Sequence, residues 1–229
     1  MERKEEIKTA YRNLGKASNI YDGMMTATTV LGRLIDKIVW GMNEEDVYEY
    51  QSASLENIPE NFKGKLLEVP VGTGVLSLPV WKLLPEADIT CLDYSEKMMD
   101  SARKRARELN ISNVNFVQGD VGDLKFGDET FDIVVSMNGF HAFPDKQAAY
   151  DETYRVLKKG GMFMGCFYVK NENKRTDWFI RNLYVRKGFF TPPFETVESL
   201  RDKLNDMYEK VSVTHVQSIG VFCCRKRVD

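Results

Sequence analysis

The stretch that decides the fold covers residues 66–76 and reads Leu66-Leu67-Glu68-Val69-Pro70-Val71-Gly72-Thr73-Gly74-Val75-Leu76. It begins as the short apolar run of a buried strand and continues into a turn with glycine at alternate positions, after which a helical pattern starts. Small residues in such a turn let a ligand approach the backbone, and the first N–H groups of the helix can bind a carboxylate or a phosphate. Because similar turns also occur for purely structural reasons, the residues around this one decide its interpretation.

Short apolar runs alternate with longer amphipathic segments from residue 63 to residue 169. Among these segments, the pattern predicts helices over residues 73–84, 95–109 with Ser95 as N-cap, and 145–157. Such alternation indicates a parallel sheet with helices on both faces. Near the C-terminus, two apolar runs on either side of Gly220 predict an antiparallel hairpin. We therefore expect an α/β protein with a Rossmann-like, doubly wound sheet, mostly parallel and ending in an antiparallel C-terminal strand.

Residues 1–62 show helical periodicity and no convincing strand, which predicts an N-terminal cap of short helices. The expected division of the chain is this helical cap followed by a ligand-binding α/β domain over residues 63–229. Within that domain, the aromatic and proline-rich residues 170–210 depart from the alternating pattern and suggest a substrate-side insertion. They form either one wall of an apolar acceptor site or a small core that joins the two parts.

Composition excludes several classes of protein. Of the 229 residues, 43% are hydrophobic and the net charge is −2, so neither a disordered chain nor a basic nucleic-acid-binding protein is indicated. No apolar run approaches the length of a membrane span, and the charged N-terminus does not resemble a signal peptide. Four cysteines without metal-type spacing predict neither a disulfide scaffold nor a metal site. We expect a cytoplasmic protein, monomeric or homodimeric, without nucleic acid or stable membrane insertion.

Three carboxylates follow three successive predicted strands. Glu68 ends the first strand, Asp93 ends the second, and Asp120 lies just past the third. In open α/β sheets, ligands bind outside the carboxyl ends of parallel strands. Asp93 comes 21 residues after Gly72, the spacing at which such sheets place a carboxylate over a ribose. Each carboxylate alone is an ordinary turn residue, but together they predict a nucleoside-binding crevice.

A nicotinamide dinucleotide and S-adenosylmethionine both fit this spacing. Ser77 stands where the dinucleotide motif has its third glycine, and Glu68 would bring negative charge near a pyrophosphate. S-adenosylmethionine instead offers an ammonium group, a ribose diol and an adenine, which gives each acidic residue a partner. The sequence therefore favours S-adenosylmethionine, with an NAD(P)-dependent oxidoreductase as the alternative.

The chain resembles the class I S-adenosylmethionine-dependent methyltransferases, in the ubiquinone/menaquinone-type branch that acts on small molecules. The resemblance covers about residues 64–169 and is carried by five segments in the family's order: residues 68–74, 92–95, 119–121, 131–136 and 155–161. It implies in-line methyl transfer to a small, partly apolar acceptor. Pro70 departs from the family pattern of glycine or alanine, and a proline donates no N–H to a ligand.

The resemblance also implies a role for each matching residue. Glu68 and the backbone of Gly72, Thr73 and Gly74 would hold the methionine moiety, and Asp93 would bind the ribose hydroxyls. Asp120 would bind the adenine amino group with Val121 beside the ring, Tyr94 would also belong to the cofactor site, and Ser136 would line the pocket near the methyl group. Tyr21, in the pair Tyr21-Asp22, is a candidate for capping the cofactor or for anchoring a helix to the core.

His141 is the candidate general base, because it follows the fourth predicted strand and histidine titrates near neutral pH. The alternative is a histidine that shapes the pocket, since many methyl transfers need no base. A cofactor-binding protein without catalysis, such as a ligand sensor, is a third hypothesis for the whole chain.

Overall fold

Seven strands form a single sheet in the computed structural model, which describes residues 20–228. They are β1 Lys65–Glu68, β2 Asp88–Asp93, β3 Val114–Gln118, β4 Phe131–Met137, β5 Leu157–Tyr168, β6 Glu209–Val216 and β7 Ile219–Arg225. The strand order is β3-β2-β1-β4-β5-β7-β6. Strands β1 to β5 pair in parallel, whereas β7 runs antiparallel to both β5 and β6. The predicted fold class is confirmed, with the antiparallel strand lying between β5 and β6.

Eight α-helices connect and flank these strands in the described part of the chain. They are α1 Ile20–Met25, α2 Val30–Ile35, α3 Glu44–Leu55, α4 Leu78–Trp81, α5 Glu96–Glu108, α6 Lys146–Val156, α7 Lys174–Phe179 and α8 Val197–Met207. Two π-helical turns, Asp36–Trp40 and Ile180–Tyr184, extend α2 and α7. Ser95 caps α5 as predicted, since its hydroxyl accepts a hydrogen bond from the Met98 N–H. The predicted N-terminal helices are present from residue 20 onward.

Two local predictions are wrong. The helix expected over residues 73–84 is reduced to the single turn α4, because Gly72 and Gly74 have φ values of 56° and 68° and lead the chain through turns first. The hairpin reverses at Gln217 and Ser218, not at Gly220. Gly220 lies inside β7, where a β-carbon would come within 2.7 Å of Val169 Cγ1, so this glycine serves close packing.

Apolar side chains fill both faces of the sheet. On one face, Trp40 and Leu55 of the N-terminal helices share a core with Leu66, Trp81 and Met164. On the other face, α6 and α8 pack over a second core that includes the rings of Phe140, Phe163 and Tyr208. The helices and the sheet are thus joined by continuous apolar packing, and the sequence-based division at residue 62 stays a prediction. Among the described residues, no helix has the length and apolar composition needed to cross a bilayer.

Candidate functional site

The site is built around the glycine turn (residues 72–74), which leaves the carboxyl end of β1. This strand is central in the sheet, with β2 on one side and β4 on the other, so its end meets the ends of both neighbours. The backbone around Gly72 is open, since a β-carbon there would find no atom within 4 Å. At the other end of the turn, a β-carbon on Gly74 would lie 2.4 Å from Leu78 Cδ1. The turn therefore approaches the start of α4 closely at Gly74 and leaves space for a ligand at Gly72.

Glu68 is a buried carboxyl at the base of this crevice, with 1% of its surface exposed. Trp81 Nε1 donates a hydrogen bond to Glu68 Oε2 at 2.7 Å, and the Cys91 thiol donates to the same oxygen at 3.3 Å. Burial raises the pKa of Glu68 to about 7, and these neutral donors lower it only in part. The described residues give Glu68 no ion-pair partner, so its environment favours a cationic ligand group when the carboxyl is ionised.

Asp93 joins the end of β2 to the glycine turn. Its Oδ2 accepts a hydrogen bond from Gly72 N–H at 2.8 Å, and its Oδ1 accepts one from Ser95 N–H at 2.8 Å. The side chain is 7% exposed, and burial raises its pKa against the opposing effect of these hydrogen bonds. A carboxylate has further lone pairs on both oxygens, so Asp93 can still accept hydrogen bonds from hydroxyl groups of a ligand.

The remaining predicted cofactor residues differ widely in their exposure. Asp120 is exposed, and its Oδ1 accepts a hydrogen bond from Gly122 N–H at 2.8 Å, while Val121 beside it is buried. Tyr94 is 76% exposed. Ser136 is fully buried, and its hydroxyl has no hydrogen-bond partner within the described part of the chain. Position 21 belongs to α1, but the Tyr21 side chain lies outside the described residues. The structure therefore brings Glu68, the glycine turn and Asp93 together.

Asp22 reaches the glycine turn and was not identified as a site residue from the sequence. It is 1% exposed, accepts a hydrogen bond from Thr73 Oγ1 at 2.7 Å and forms an ion pair with Arg105 Nη2 at 2.7 Å. Arg105 Nη1 also donates to the Thr73 carbonyl oxygen at 2.5 Å. Helices α1 and α5 are thus fastened to the turn. The available signal was the Tyr21-Asp22 pair, but nothing in the local sequence marks Arg105, 83 residues away.

A second set of buried polar groups, called here the Asp36 cluster (Asp36, Tyr50, Gln51 and Asn138), adjoins the crevice. Asn138 lines the crevice and lies near the Tyr50 hydroxyl, to which Gln51 Nε2 donates a hydrogen bond at 3.4 Å. Gln51 Nε2 donates to the Met25 carbonyl oxygen at 2.5 Å. Burial, and in addition the nearby Asp36 carboxylate, raises the pKa of Tyr50.

Two oxygens of the Asp36 cluster, Asp36 Oδ2 and Gln51 Oε1, are buried without a hydrogen-bond partner in the described chain. Asp36 is 5% exposed, and burial raises its pKa to about 7. Leaving buried acceptors unsatisfied is costly, which points to a site where a ligand supplies the missing donors. No local pattern in the sequence marks this group, because its members come from three separate segments.

His141 is buried beside the aromatic residues of the C-terminal third. Its Nδ1 accepts a hydrogen bond from the Tyr168 N–H at 3.1 Å, and its ring stacks on Phe190 with centroids 3.9 Å apart. Burial, followed by the nearby Lys146 charge, lowers the pKa of His141 to about 3. The ring is therefore neutral near pH 7, with its proton on Nε2. In this state it is a hydrogen-bond donor, and its role as a base stays a prediction.

The aromatic residues of the predicted insertion are partly core and partly surface. Phe190 is buried among Trp40, Tyr168 and Tyr184, with ring centroids 5.2 to 6.2 Å away. Trp178 and Phe189 are instead 57% and 58% exposed. The segment thus joins the N-terminal helices through Trp40.

The crevice itself is narrow. It encloses about 50 Å³, room for a few water molecules, and is lined by Glu68, the glycine turn, Met25 and Asn138. Asn138 Nδ2 lies 4.0 Å from Met25 Sδ. A nucleoside-sized ligand needs more room than this, and displacement of Met25, which α1 carries, would widen the crevice. Among residues 20–228, no group of three or more His, Cys, Asp or Glu side chains is arranged to hold a metal ion.

Comparison with known proteins identifies relatives that are described as methyltransferases. Residues 66–161 match the model of a family described as a methyltransferase domain. A demethylmenaquinone methyltransferase of Listeria monocytogenes is 34% identical over 181 residues, which cover 68% of this chain and 76% of the relative. A ubiquinone/menaquinone biosynthesis C-methyltransferase of Cereibacter sphaeroides is 32% identical over 150 residues, covering 64% of this chain and 58% of the relative.

Solved structures share the fold. An S-adenosylmethionine-dependent methyltransferase of Thermotoga maritima, described as a possible histamine N-methyltransferase, superposes with a TM-score of 0.63. The two proteins are 21% identical, and the match covers 85% of this chain and 92% of the other. At this identity the likeness concerns the fold alone.

Proposed function

Because the chain belongs to the class I S-adenosylmethionine-dependent methyltransferases, in the quinone-type branch, we propose that it methylates a quinone-type acceptor in its reduced, phenolic form. The observation that carries the acceptor class is the 34% identity to a demethylmenaquinone methyltransferase, of which the chain covers 76%. The buried apolar and aromatic residues around Trp40 are consistent with an acceptor that is partly apolar.

The cofactor is S-adenosylmethionine, and the carboxylates and the open backbone at the crevice fit it. We propose that the Glu68 carboxylate binds the ammonium group and that Asp93 binds the ribose hydroxyls. The open space at Gly72 would admit the methionine moiety to the backbone of residues 72–74, and Thr73 fixes the turn through Asp22. The open space at Gly72 and the unpartnered hydroxyl of Ser136 support this assignment.

At the outer end of the crevice, Tyr94, Asp120 and Val121 are proposed to surround the adenine. Asp120 is exposed and keeps free lone pairs for an amino group, while Val121 offers an apolar surface to the ring. Tyr21 stays a proposed capping residue on the same side as α1.

The Asp36 cluster is proposed to receive the phenolic oxygen of the acceptor. S-adenosylmethionine supplies a methyl group on a positively charged sulfur, so the protein has mainly to align the nucleophile and exclude water. The acceptor would form a bond to the methyl carbon as the methyl–sulfur bond breaks, and neutral S-adenosylhomocysteine would leave. The one proton that the acceptor loses, from the phenol, would pass to the Asp36 carboxylate, which has a pKa of about 7 and is therefore matched to physiological pH. Gln51 and Asn138 would orient the same oxygen. His141 is the second candidate for the base.

The decisive experiment is methyl transfer from labelled S-adenosylmethionine to a short-chain demethylmenaquinol, with an aliphatic amine of similar size as the comparison acceptor. We expect label in the quinol alone. Label in the amine alone would contradict the acceptor class. Binding of S-adenosylhomocysteine without transfer to any quinol, phenol, amine or thiol would support the third hypothesis, a binding protein without catalysis.

A further inference from the structure

Large apolar side chains are exposed on one part of the surface. Seven of the nine exposed large hydrophobic side chains of the described chain lie in residues 30–38 and 178–189. They are Val30, Leu31, Leu34, Ile38, Trp178, Leu183 and Phe189. We call these residues the apolar face. Contiguous exposed apolar surface of this kind marks an interaction site in proteins that otherwise bury such residues.

The helix α2 and the π-helical turn after it are amphipathic with the apolar side outward. Val30, Leu34 and Ile38 recur at helical spacing and are 76%, 50% and 45% exposed. The opposite side, which includes Asp36 and Trp40, is buried against the protein. An isolated soluble domain would place polar residues on the outer side, so this helix is built to contact something apolar.

The two segments of the apolar face are packed together. Thr176 Oγ1 donates a hydrogen bond to the Val39 carbonyl oxygen at 2.7 Å, and Arg175 Nη2 donates to the Lys37 carbonyl oxygen at 3.0 Å. Trp40 contacts the ring of Tyr184 at 6.1 Å between centroids. The exposed residues of both segments therefore belong to one region of the surface.

Basic side chains surround this region. Residues 30–40 carry the exposed Arg33 and Lys37, and residues 174–189 carry five more exposed basic residues: Lys174, Arg175, Arg181, Arg186 and Lys187. The acidic residues in these two segments are Asp36, which is buried, and Asp177, which is hydrogen-bonded to the Tyr168 hydroxyl. The region is therefore strongly positive, although the whole chain has a net charge of −2.

We propose that the apolar face is a docking surface for a bilayer that contains anionic lipids. Apolar side chains flanked by lysine and arginine are the pattern of segments that lie in the membrane interface. Glu44 and Asp46 line the cavity of about 590 Å³ that also borders Arg33 and Lys37. The charge contribution is therefore expected mainly from residues 174–187. This proposal does not depend on the acceptor proposed above.

The test is binding of the full-length protein to vesicles of phosphatidylcholine with and without phosphatidylglycerol. We expect binding to the anionic vesicles, weakened by 0.5 M salt. Replacing Leu34 and Ile38 together by serine should lower the partition coefficient by at least about 10-fold. The matched control is Val228→Ser, which removes a valine that is 64% exposed outside the apolar face and should leave binding unchanged.

Charge is tested separately with Arg186→Gln combined with Lys187→Gln. Its control is Arg107→Gln combined with Lys82→Gln, which removes the same charge from exposed positions elsewhere. The first pair should weaken binding several-fold more than the second. Unchanged binding of S-adenosylhomocysteine shows that each variant is folded.

Three results would overturn the proposal: no binding of the full-length protein to anionic vesicles, equal loss in the face variants and their controls, or equal binding to neutral and anionic vesicles. A fourth result would be that the wild type sediments as a dimer and the variant with Leu34 and Ile38 replaced sediments as a monomer, while neither protein binds vesicles. That result would assign the apolar face to a second copy of the chain.

Discussion

At the level of single residues, the unusual feature of the site is two buried carboxyl groups that have no cationic partner among residues 20–228. Glu68 and Asp36 both have a pKa of about 7, because their surroundings offer too few donors to compensate for lost water. Each is ready to gain a partner when a ligand binds. Glu68 lines the crevice of the cofactor, and Asp36 lines the cavity of about 590 Å³ beside α2.

The first prediction concerns Glu68→Gln. The folded state raises the pKa of Glu68 from 4.5 to about 7, so this carboxyl favours folding below pH 4.5, and the advantage is lost as the pH rises through 7. Glutamine does not titrate. The free energy of unfolding of the wild type should therefore fall relative to that of the variant as the pH rises from 5 to 8, by up to about 3 kcal/mol.

Urea unfolding at several pH values measures this difference, and Glu60→Gln, at an exposed position, is the control. Calorimetry should show that the same Glu68→Gln variant binds S-adenosylhomocysteine more weakly by about 1–3 kcal/mol, because the ligand ammonium loses an ionic partner. A stability difference that stays constant with pH would contradict the assigned pKa.

The second prediction separates Asp36 from His141 as the base. At saturating cofactor, kcat of the wild type should rise with pH to a plateau above about 7, as Asp36 loses its proton. Asp36→Asn should lower kcat by roughly 10²–10⁴-fold and remove this inflection. His141→Asn should keep the inflection, because a base with a pKa of about 3 is already deprotonated over this range.

Glu68 titrates in the same range, so Glu68→Gln is the matched control for the second prediction. If Asp36 is the base, the inflection in kcat persists in Glu68→Gln once the cofactor concentration is raised to saturation. Loss of the inflection in His141→Asn, with its retention in Asp36→Asn, would assign the base to His141.

At the level of elements, the glycine turn is held by two helices that approach it from different parts of the chain. Asp22 of α1 and Arg105 of α5 form a buried ion pair above Thr73 and bind its hydroxyl and its carbonyl oxygen. Buried ion pairs rarely add much stability, but removing one partner is costly because the other charge stays behind.

The third prediction is therefore that Arg105→Met destabilises the protein by about 3 kcal/mol and weakens cofactor binding. Arg107→Met, on the same helix but exposed, should change stability by less than about 0.5 kcal/mol. Adding Asp22→Asn to Arg105→Met should recover part of the loss, since it removes the remaining charge. Equal effects of the two arginine variants in thermal unfolding would contradict the role given to this ion pair.

Elements with strong local signals could be predicted from the sequence. The apolar runs of the central strands and the N-cap of α5 are local features, and Ser95 caps α5 as predicted. Asp145, where the next of these helices was expected to begin, is the N-cap of α6. The helix after the glycine turn was overestimated, because the pattern does not show that Gly74 adopts a left-handed conformation. The predicted position of the C-terminal hairpin turn is wrong for a similar reason, since the pattern does not show that Gly220 is needed for packing inside β7.

The site was predictable only where residues follow strands. Sheet topology brings Glu68 and Asp93 together, and both were identified for this reason. The partners of Asp22 and the members of the Asp36 cluster come from distant segments, and their proximity depends on how α1, α2 and α3 pack over the sheet. A single sequence carries no local signal for such packing.

At the level of the whole molecule, the crevice lies between the sheet and the helix α1. The sheet contributes Glu68 and the glycine turn, whereas α1 contributes Met25, and the enclosed space of about 50 Å³ is too small for a nucleoside. The β6–β7 hairpin, by contrast, lies at the far edge of the sheet from β3 and takes no part in the crevice. Cofactor binding should therefore affect these regions differently.

The fourth prediction is that S-adenosylhomocysteine slows amide hydrogen exchange in residues 20–40 and in the glycine turn by a larger factor than in β6 and β7, which gain only the global stabilisation. At a ligand concentration of 100 times Kd, the linkage relation gives about 2.7 kcal/mol of added stability, which for a chain of this size corresponds to a rise in Tm of roughly 5–10 °C. Glu68→Gln at the same ligand concentration should show a smaller rise, because it binds less. Exchange that changes in the glycine turn while residues 20–40 stay as they were would mean that α1 need not move, and the ligand would then have to enter past β2 and β3.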